Sequence, residues 1–308
     1  MKKFMKFCFV LALVLIVVGG LFYMIGRRAG GRQEMDELLT EIGGGWVDFD
    51  WEDYNIGFTG YDIDDVSMFH ESYTIWKGDV EKQMIYQGNV EELNLEIGGS
   101  MVEVKNSQDG NIYIEGSSLG KMQAYVEEGV LYVKSVRPAN LMEEIKNSSI
   151  TLYLPEDCTL ERLDLSLGAG QLKLGDMVVQ DMTASVGAGQ LLMTNVTLGA
   201  LDVSLGAGEL RTQDVTVQTL AASIGAGNMD FTGAVNESAE ISCNMGNVNM
   251  SLTGNKQDFN YQLSCVAGSM KVDGDVFGGA AVDRDIDNGA DKYMQISCSM
   301  GNVEVDFQ

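Results

Sequence analysis

Residues 163–181 read LDLSLGAGQLKLGDMVVQD, and three stretches follow in the same register: MTASVGAGQLLMTNVTLGA from Met182, LDVSLGAGELRTQDVTVQT from Leu201 and LAASIGAGNMDFTGAVNES from Leu220. Gly-Ala-Gly thus returns every 19 residues, with its glycines at Gly168 and Gly170, Gly187 and Gly189, Gly206 and Gly208, and Gly225 and Gly227. Self-similarity at one fixed length marks a chain that stacks near-identical units. The register goes on with looser spelling at Gly246, Gly268 and Gly301, and an earlier stretch around Gly99, IGGSMVEV, has the same local form.

Apolar residues alternate within each copy, as in Leu163, Leu165, Leu167 and then Leu172, Leu174. That period of two belongs to half-buried strands and fits no helix. The expected fold is all-β: a parallel β-solenoid of about seven coils over residues 89–308, with regular 19-residue repeats at 163–254. Each coil can bury its apolar face only against its neighbours, so the ends need caps. Residues 90–160 read as a β-rich entry module, and 277–292 as a polar excursion before the last coil. Polar residues recur at the same step, so Ser166, Ser185, Ser204, Ser223 and Ser242 should form one ladder, and Asp176, Asn195 and Asp214 another at a turn. Glycine suits the corners because it takes positive φ without a Cβ clash. The alanines Ala169, Ala188, Ala207 and Ala226 should then stand in single file.

The first 32 residues hold no acid and six basic residues, Lys2, Lys3, Lys6, Arg27, Arg28 and Arg32, around an apolar run from Phe7 to Ile25. Nineteen uncharged residues suffice to cross a bilayer. The run is longer than a usual signal-peptide core and no small-x-small cleavage site directly follows, so an uncleaved anchor is expected. This gives a cytoplasmic tail at 1–6, one transmembrane helix at 7–25, and the bulk of the chain outside the cell membrane. Residues 26–88 form an acidic, aromatic linker or stalk, with Trp46, Trp51, Tyr54, Phe58, Tyr61, Phe69 and Trp76. Beyond Arg32 stand 14 basic against 45 acidic residues, a formal −31. Such a body repels nucleic acid and anionic headgroups and attracts cations or basic partners.

Residues with chemistry are few. Cys243, Cys265 and Cys298 each precede a register glycine by three residues, where Leu167, Val186, Leu205 and Ile224 stand in earlier coils, so they read as small inward hydrophobes. Stacked cysteines could come near enough for a disulfide in an oxidising compartment. There is no CxxC pair, and the single histidine, His70, has no nucleophile motif beside it. No catalytic residue and no cofactor are assigned. The one candidate cation site is the acidic run Asp283, Asp285, Asp287 and Asp291, whose alternate aspartates before Gly289 are like the start of a Ca²⁺ loop. Its glycine comes one residue late, and Met294 stands where a closing glutamate would.

The segment Ile150-Thr151-Leu152-Tyr153-Leu154-Pro155 leading into Leu163–Gly170, the repeated glycine-hydrophobic units, and the close from Asn288-Gly289 through Gly301-Asn302-Val303-Glu304-Val305 carry a resemblance. Over residues 86–308 the chain resembles the bacterial putative-adhesin family with β-strand repeats, domain of unknown function 4097, in a membrane-anchored form. Where that family spells its turn Ser-Gly-Asp-Ile, this chain has Gly-Ala-Gly-Gln-Leu or Met-Gly-Asn-Val. The resemblance implies an envelope protein of Gram-positive-type bacteria, with adhesion as the suggested role and relatives linked to envelope-stress signalling. It implies no catalytic residue.

The functional expectation is a non-enzymatic, membrane-anchored, adhesin-like binding or scaffolding protein of the cell envelope, with an envelope protein or a glycan as partner. An accessory subunit of an envelope-stress sensing system is the second expectation. A carbohydrate-active enzyme is the third, because a solenoid can line a groove with carboxylates.

Overall fold

The computed structural model describes residues 69–136, 148–156, 158–277 and 282–308, all within one compact unit, Ile56–Gln308. The expected tail, transmembrane helix and most of the stalk lie outside the described residues. Among those described, the chain is all-β, and its helical content is a single 3₁₀ turn, Lys256–Asp258.

The 19-residue step is the pairing register. Strand β6 (Thr159–Val186) pairs in parallel with β7 (Gln190–Leu205), Gln171 against Gln190 and Val186 against Leu205. Next come β8 (Glu209–Gln213) and β9 (Val215–Ile224), both paired with β7, and β10 (Asn228–Cys243), paired with both. β11 (Asn247–Leu252) then lies on the start of β10, with Asn228 against Asn247. Pairing between β6 and β7 runs in three stretches, 171–175, 177–179 and 181–186, so each coil turns three corners. One corner is the Gly-Ala-Gly unit. Another is the left-handed residue Asp176, repeated at Asn195 and Asp214 with φ of 50°, 55° and 54°. Asp and Asn tolerate that region better than most non-glycine residues, and the Asn195 amide donates to Asp176 at 2.5 Å along the ladder.

Alternation places Leu163, Leu165, Leu167, Leu172 and Leu174 inside, together with Val203, Leu205, Val217 and Ile224. They join one continuous core that runs the length of the stack. A fully buried aliphatic side chain contributes about 1.5–3 kcal/mol, and each depends on the coil above and the coil below.

Both ends depart from chain order. Sequence spacing suggests that the coil of Gly246 is followed by that of Gly268 and then that of Gly301. Instead β16 (Lys292–Cys298) and β17 (Asn302–Phe307) lie directly on β10 and β11, with Cys243 against Cys298 and Asn247 against Asn302. Strands β12 (Phe259–Cys265) and β13 (Ser269–Val272) stack outside them. The final coil in sequence is thus internal. The end is closed by β14 (Asp275–Val276), which lies just before the expected polar excursion and pairs antiparallel with β13, and by β15 (Val282–Ile286) within the excursion, antiparallel with β12.

The amino-terminal end mirrors this. Strand β2 (Glu92–Ser107), expected in a capping module, is a full coil paired in parallel with β6 on one side and with β4 (Val130–Val136) and β5 (Ser149–Pro155) on the other. The cap is β3 (Asn111–Glu127), antiparallel to both β4 and β5, and β1 (Trp76–Gln87) lies antiparallel on β3. Residues 76–87, expected in the stalk, are therefore a strand of the sheet. β1 is interrupted by register shifts around Gly78 and Val80, and it carries Lys77, Asp79, Glu81 and Lys82. Shifts and charges of this kind discourage pairing with another edge.

Candidate binding surface

The corner glycines are needed for a different reason from the one expected. Of the register glycines at this corner only Gly170 has positive φ, at +95°. At the others the constraint is distance to the neighbouring coil. A Cβ on Gly227 would lie 2.4 Å from the Gly208 carbonyl oxygen, and one on Gly246 2.3 Å from that of Gly227. The same contact recurs at Gly301 against Gly246 and at Gly268 against Gly301. The missing Cβ also leaves room for inward side chains: Val186 reaches to 2.7 Å of the Cβ position of Gly208, and the Cys243 sulfur to 2.6 Å of that of Gly301. Alanine stands between the glycines, exposed on the outer ridge. The amide of Ala188 donates to Gly168, Ala207 to Gly187 and Ala226 to Gly206, each at 2.8 Å, so the alanines are in single file. Met245, Met300 and Ala267 continue the ridge, and both methionines are exposed.

Outward columns are regular. Ser185, Ser204, Ser223 and Ser242 stack in register, and Ser297 and Ser264 extend the line across the inverted end. On the face after the Gly-Ala-Gly corner, Gln171 donates to Gln190 at 2.9 Å and Gln190 to Glu209 at 2.6 Å. Farther along, Asn247 donates to Asn228 and Asn302 to Asn247, each at 2.9 Å. Sequence reasoning found the serines and missed this amide ladder. Its signal was present, a Gln or Asn directly after five of the register glycines.

The cysteines form a column with Cys298 in the middle, between Cys243 and Cys265. All are free and buried. Burial, followed by the neighbouring Cys243 thiol, pushes the Cys298 thiol up to about 12. Burial raises that of Cys243 as well. The Cys243 and Cys298 thiols donate to the carbonyls of Gly246 and Gly301, at 3.3 and 3.2 Å. Neutral inward thiols of this kind pack and do not react.

His70 holds the amino-terminal cap. The buried Gln123 side chain accepts from the His70 amide at 2.8 Å and donates to the carbonyls of His70 and Tyr73 at 2.8 and 2.9 Å. The imidazole lies tilted against Tyr73 and Tyr125, while Tyr73, Tyr125 and Tyr132 stack in sequence. Asp283 and Asp285 of the calcium candidate lie exposed on β15, opposite Ser264 and Gln262, and Asp287 accepts from the Gly289 amide at 2.9 Å. Among the described residues no group of three or more His, Cys, Asp or Glu is arranged to hold a metal ion, so the four aspartates of the candidate are not brought together as ligands. No described helix is long and apolar enough to cross a membrane.

Among solved structures the chain is similar to a putative adhesin from Bacteroides fragilis, at 16% identity over 73% of this chain and 96% of that one, with a TM-score of 0.43. It is also similar to a putative adhesin from Parabacteroides distasonis, at 13% identity over 74% and 98% with a TM-score of 0.43. A third is a putative cell adhesion protein from Clostridium sporogenes, at 12% identity over 74% and 98% with a TM-score of 0.32. No curated protein matches. The Toastrack DUF4097 family matches residues 90–273, more than half of the chain, and takes in the stacked coils from β2 to β13; this protein belongs to that family.

Proposed function

We propose that this protein is a non-enzymatic binding or scaffolding surface of the bacterial cell envelope, a solenoid of about seven coils held outside the membrane by the segment 7–25. The observation that supports this reading is the uninterrupted outward register. One serine column runs from Ser185 through Ser264, and amide columns flank the neighbouring corner, so the same side chains recur on coil after coil. A surface of repeated rungs suits an extended or multivalent partner, because every coil presents a similar contact. Fold likeness adds nothing to the choice of partner.

The test is protease accessibility on intact cells, together with retention of the full chain on isolated envelope material. Loss of the body to external protease, with a short membrane-embedded fragment left behind, is the expected result. A body fully protected in intact cells and cut only after lysis would sink the reading.

A further inference from the structure

A groove of about 330 Å³ runs across four coils beside the serine column, at the third corner of the winding. Two outward columns line it. The first is Asp181, Ala200, Thr219 and Ser238, and the second is Thr183, Asp202, Ala221 and Glu240. Met182, Leu201 and Leu220 lie between the columns. In the second column an acid alternates with a small neutral residue. Asp202 and Glu240 are separated by Ala221, and the Gly187 amide bonded to the Leu167 carbonyl sets Asp164 beside Thr183, one further alternation back. Rungs lie roughly 4.8 Å apart, so the carboxylates recur at roughly 9.6 Å along the rod.

Some acids elsewhere on the coils are paired within the fold. On the face after the Gly-Ala-Gly corner, Glu209 and Asp230 share Arg211, and Glu304 pairs with Lys271. In the groove, neither Asp181, Asp202 nor Glu240 forms an ion pair with any described residue. The groove therefore offers spaced negative charge over a floor of the buried Met182, Leu201 and Leu220, with no cation among its lining residues. Its alternation also keeps like charges from standing on adjacent rungs, where they would repel.

We propose that this groove binds an extended cationic peptide segment with Lys or Arg at every third residue, lying along the rod axis. A polyproline II helix has three residues per turn and a rise of about 3.1 Å, so every third side chain returns to one side at about 9.3 Å. That repeat matches the carboxylate spacing to within rotamer freedom. A strictly extended β strand would turn alternate cations away from the groove. The proposal rests on the reading of the outer faces as a binding surface and names the partner chemistry for one of them.

The probe is a labelled heptapeptide, Lys-Pro-Pro-Lys-Pro-Pro-Lys, titrated by fluorescence anisotropy into the full chain in zwitterionic detergent at low salt. A heptapeptide of the same composition with its three lysines contiguous is the comparison. Tighter binding of the spaced peptide is expected, weakened roughly tenfold by Asp202→Asn with Glu240→Gln, since exposed ion pairs each contribute little. Asp176→Asn with Asp214→Asn removes the same charge at another corner and should leave the affinity within twofold. Thermal melts of both variants should match the unmodified chain, because both are isosteric changes at outward positions.

Equal binding of the two peptides, equal loss in both double variants, or no binding of the spaced peptide would overturn the proposal. If the peptide fails while the full chain is still retained on isolated envelope material, this assignment falls and the binding-surface reading stands. If neither binds, both fall. Selective retention of a glycan that both double variants leave unchanged would place the working face elsewhere and overturn the groove assignment.

Discussion

The Asn302 amide donates to the Gly246 carbonyl at 3.0 Å, joining residues 56 apart in the chain and setting the last coil directly on the one that ends the regular repeats. The coil of Gly268, which follows Gly246 in sequence, stacks on the far side through Ser269 to Gly301, also at 3.0 Å.

Deleting residues 292–308 should therefore do more than trim an end. β12 would lose its parallel partner β16, and β13 would lose β17. Amide exchange in 259–272 should rise to the rate of an unprotected chain, while β7 through β9 keep their protection. Full protection of Phe259–Cys265 in the shortened chain would show that the order of coils is wrong.

Gly227→Ala should destabilise the fold by about 1–3 kcal/mol, because its Cβ would meet the Gly208 carbonyl at 2.4 Å and backbone cannot move aside cheaply. Gly175→Ala is the control. There the nearest atom is the Thr194 carbonyl oxygen at 3.6 Å and no positive φ is required, so the change should stay within about 0.5 kcal/mol. Urea melts of the two variants give the comparison, and similar costs would refute close approach as the constraint.

Leu205 is buried and Ser204, its neighbour, points outward. Leu205→Asp should cost more than about 4 kcal/mol by leaving an unpaired charge in the core, whereas Ser204→Ala should fall within about 0.5 kcal/mol. Thermal melts that ranked them the other way round would mean that the faces are reversed.

Stability should fall at alkaline pH. Burial holds the Cys298 thiol protonated up to about 12, above its ordinary value near 9, and burial also raises Cys243 and Tyr261. Between about 9 and 12 the unfolded chain gives up the Cys298 proton that the folded chain keeps, so the native state loses ground as pH rises and is unaffected below that window. Cys298→Ser removes this titration and should flatten the decline of the melting midpoint from neutral to alkaline pH. An unchanged slope would show that the thiol is not buried as a neutral group.

Replacing Gln123 by Leu removes the three hydrogen bonds that hold residues 70–73 to β3 and takes away the partner of the His70 amide and of the Tyr73 carbonyl, while the His70 carbonyl keeps the Tyr73 amide. Limited proteolysis should then cut near Tyr73 at least several-fold faster. The stacked coils beyond β6 should melt unchanged, since coil stability is passed only between neighbours.

Much of the regular part was legible because one number, 19, sets both the apolar alternation and the pairing. Leu163, Leu205 and Ile224 could be placed inside, the serine ladder outside, and the alanines in one file, from spacing alone. The inversion of the ends was not legible. SCNMG, SCVAG and SCSMG present nearly the same edge to any neighbour, so local pairing energy does not rank their order. The outermost coils are the ones that receive an antiparallel partner, β12 from β15 and β4 and β5 from β3, and antiparallel partners leave no mark in a parallel repeat. The glycine corners were placed correctly but for a reason that belongs to the adjacent coil. A sequence shows that a side chain is missing and does not show which carbonyl fills the space. The unpaired acids of the groove were hidden for a related cause, because among 45 acidic residues only the stacking register separates Asp202 and Glu240 from the acids that meet Arg211.

Burying the carboxyl-terminal strands between two coils also decides how the molecule bears mechanical load. A pull applied at Gln308 cannot peel an outer layer one hydrogen bond at a time. It must drag β16 and β17 out from between β10–β11 and β12–β13, loading both rows of backbone bonds in shear at once, and rupture under tension is then abrupt instead of gradual.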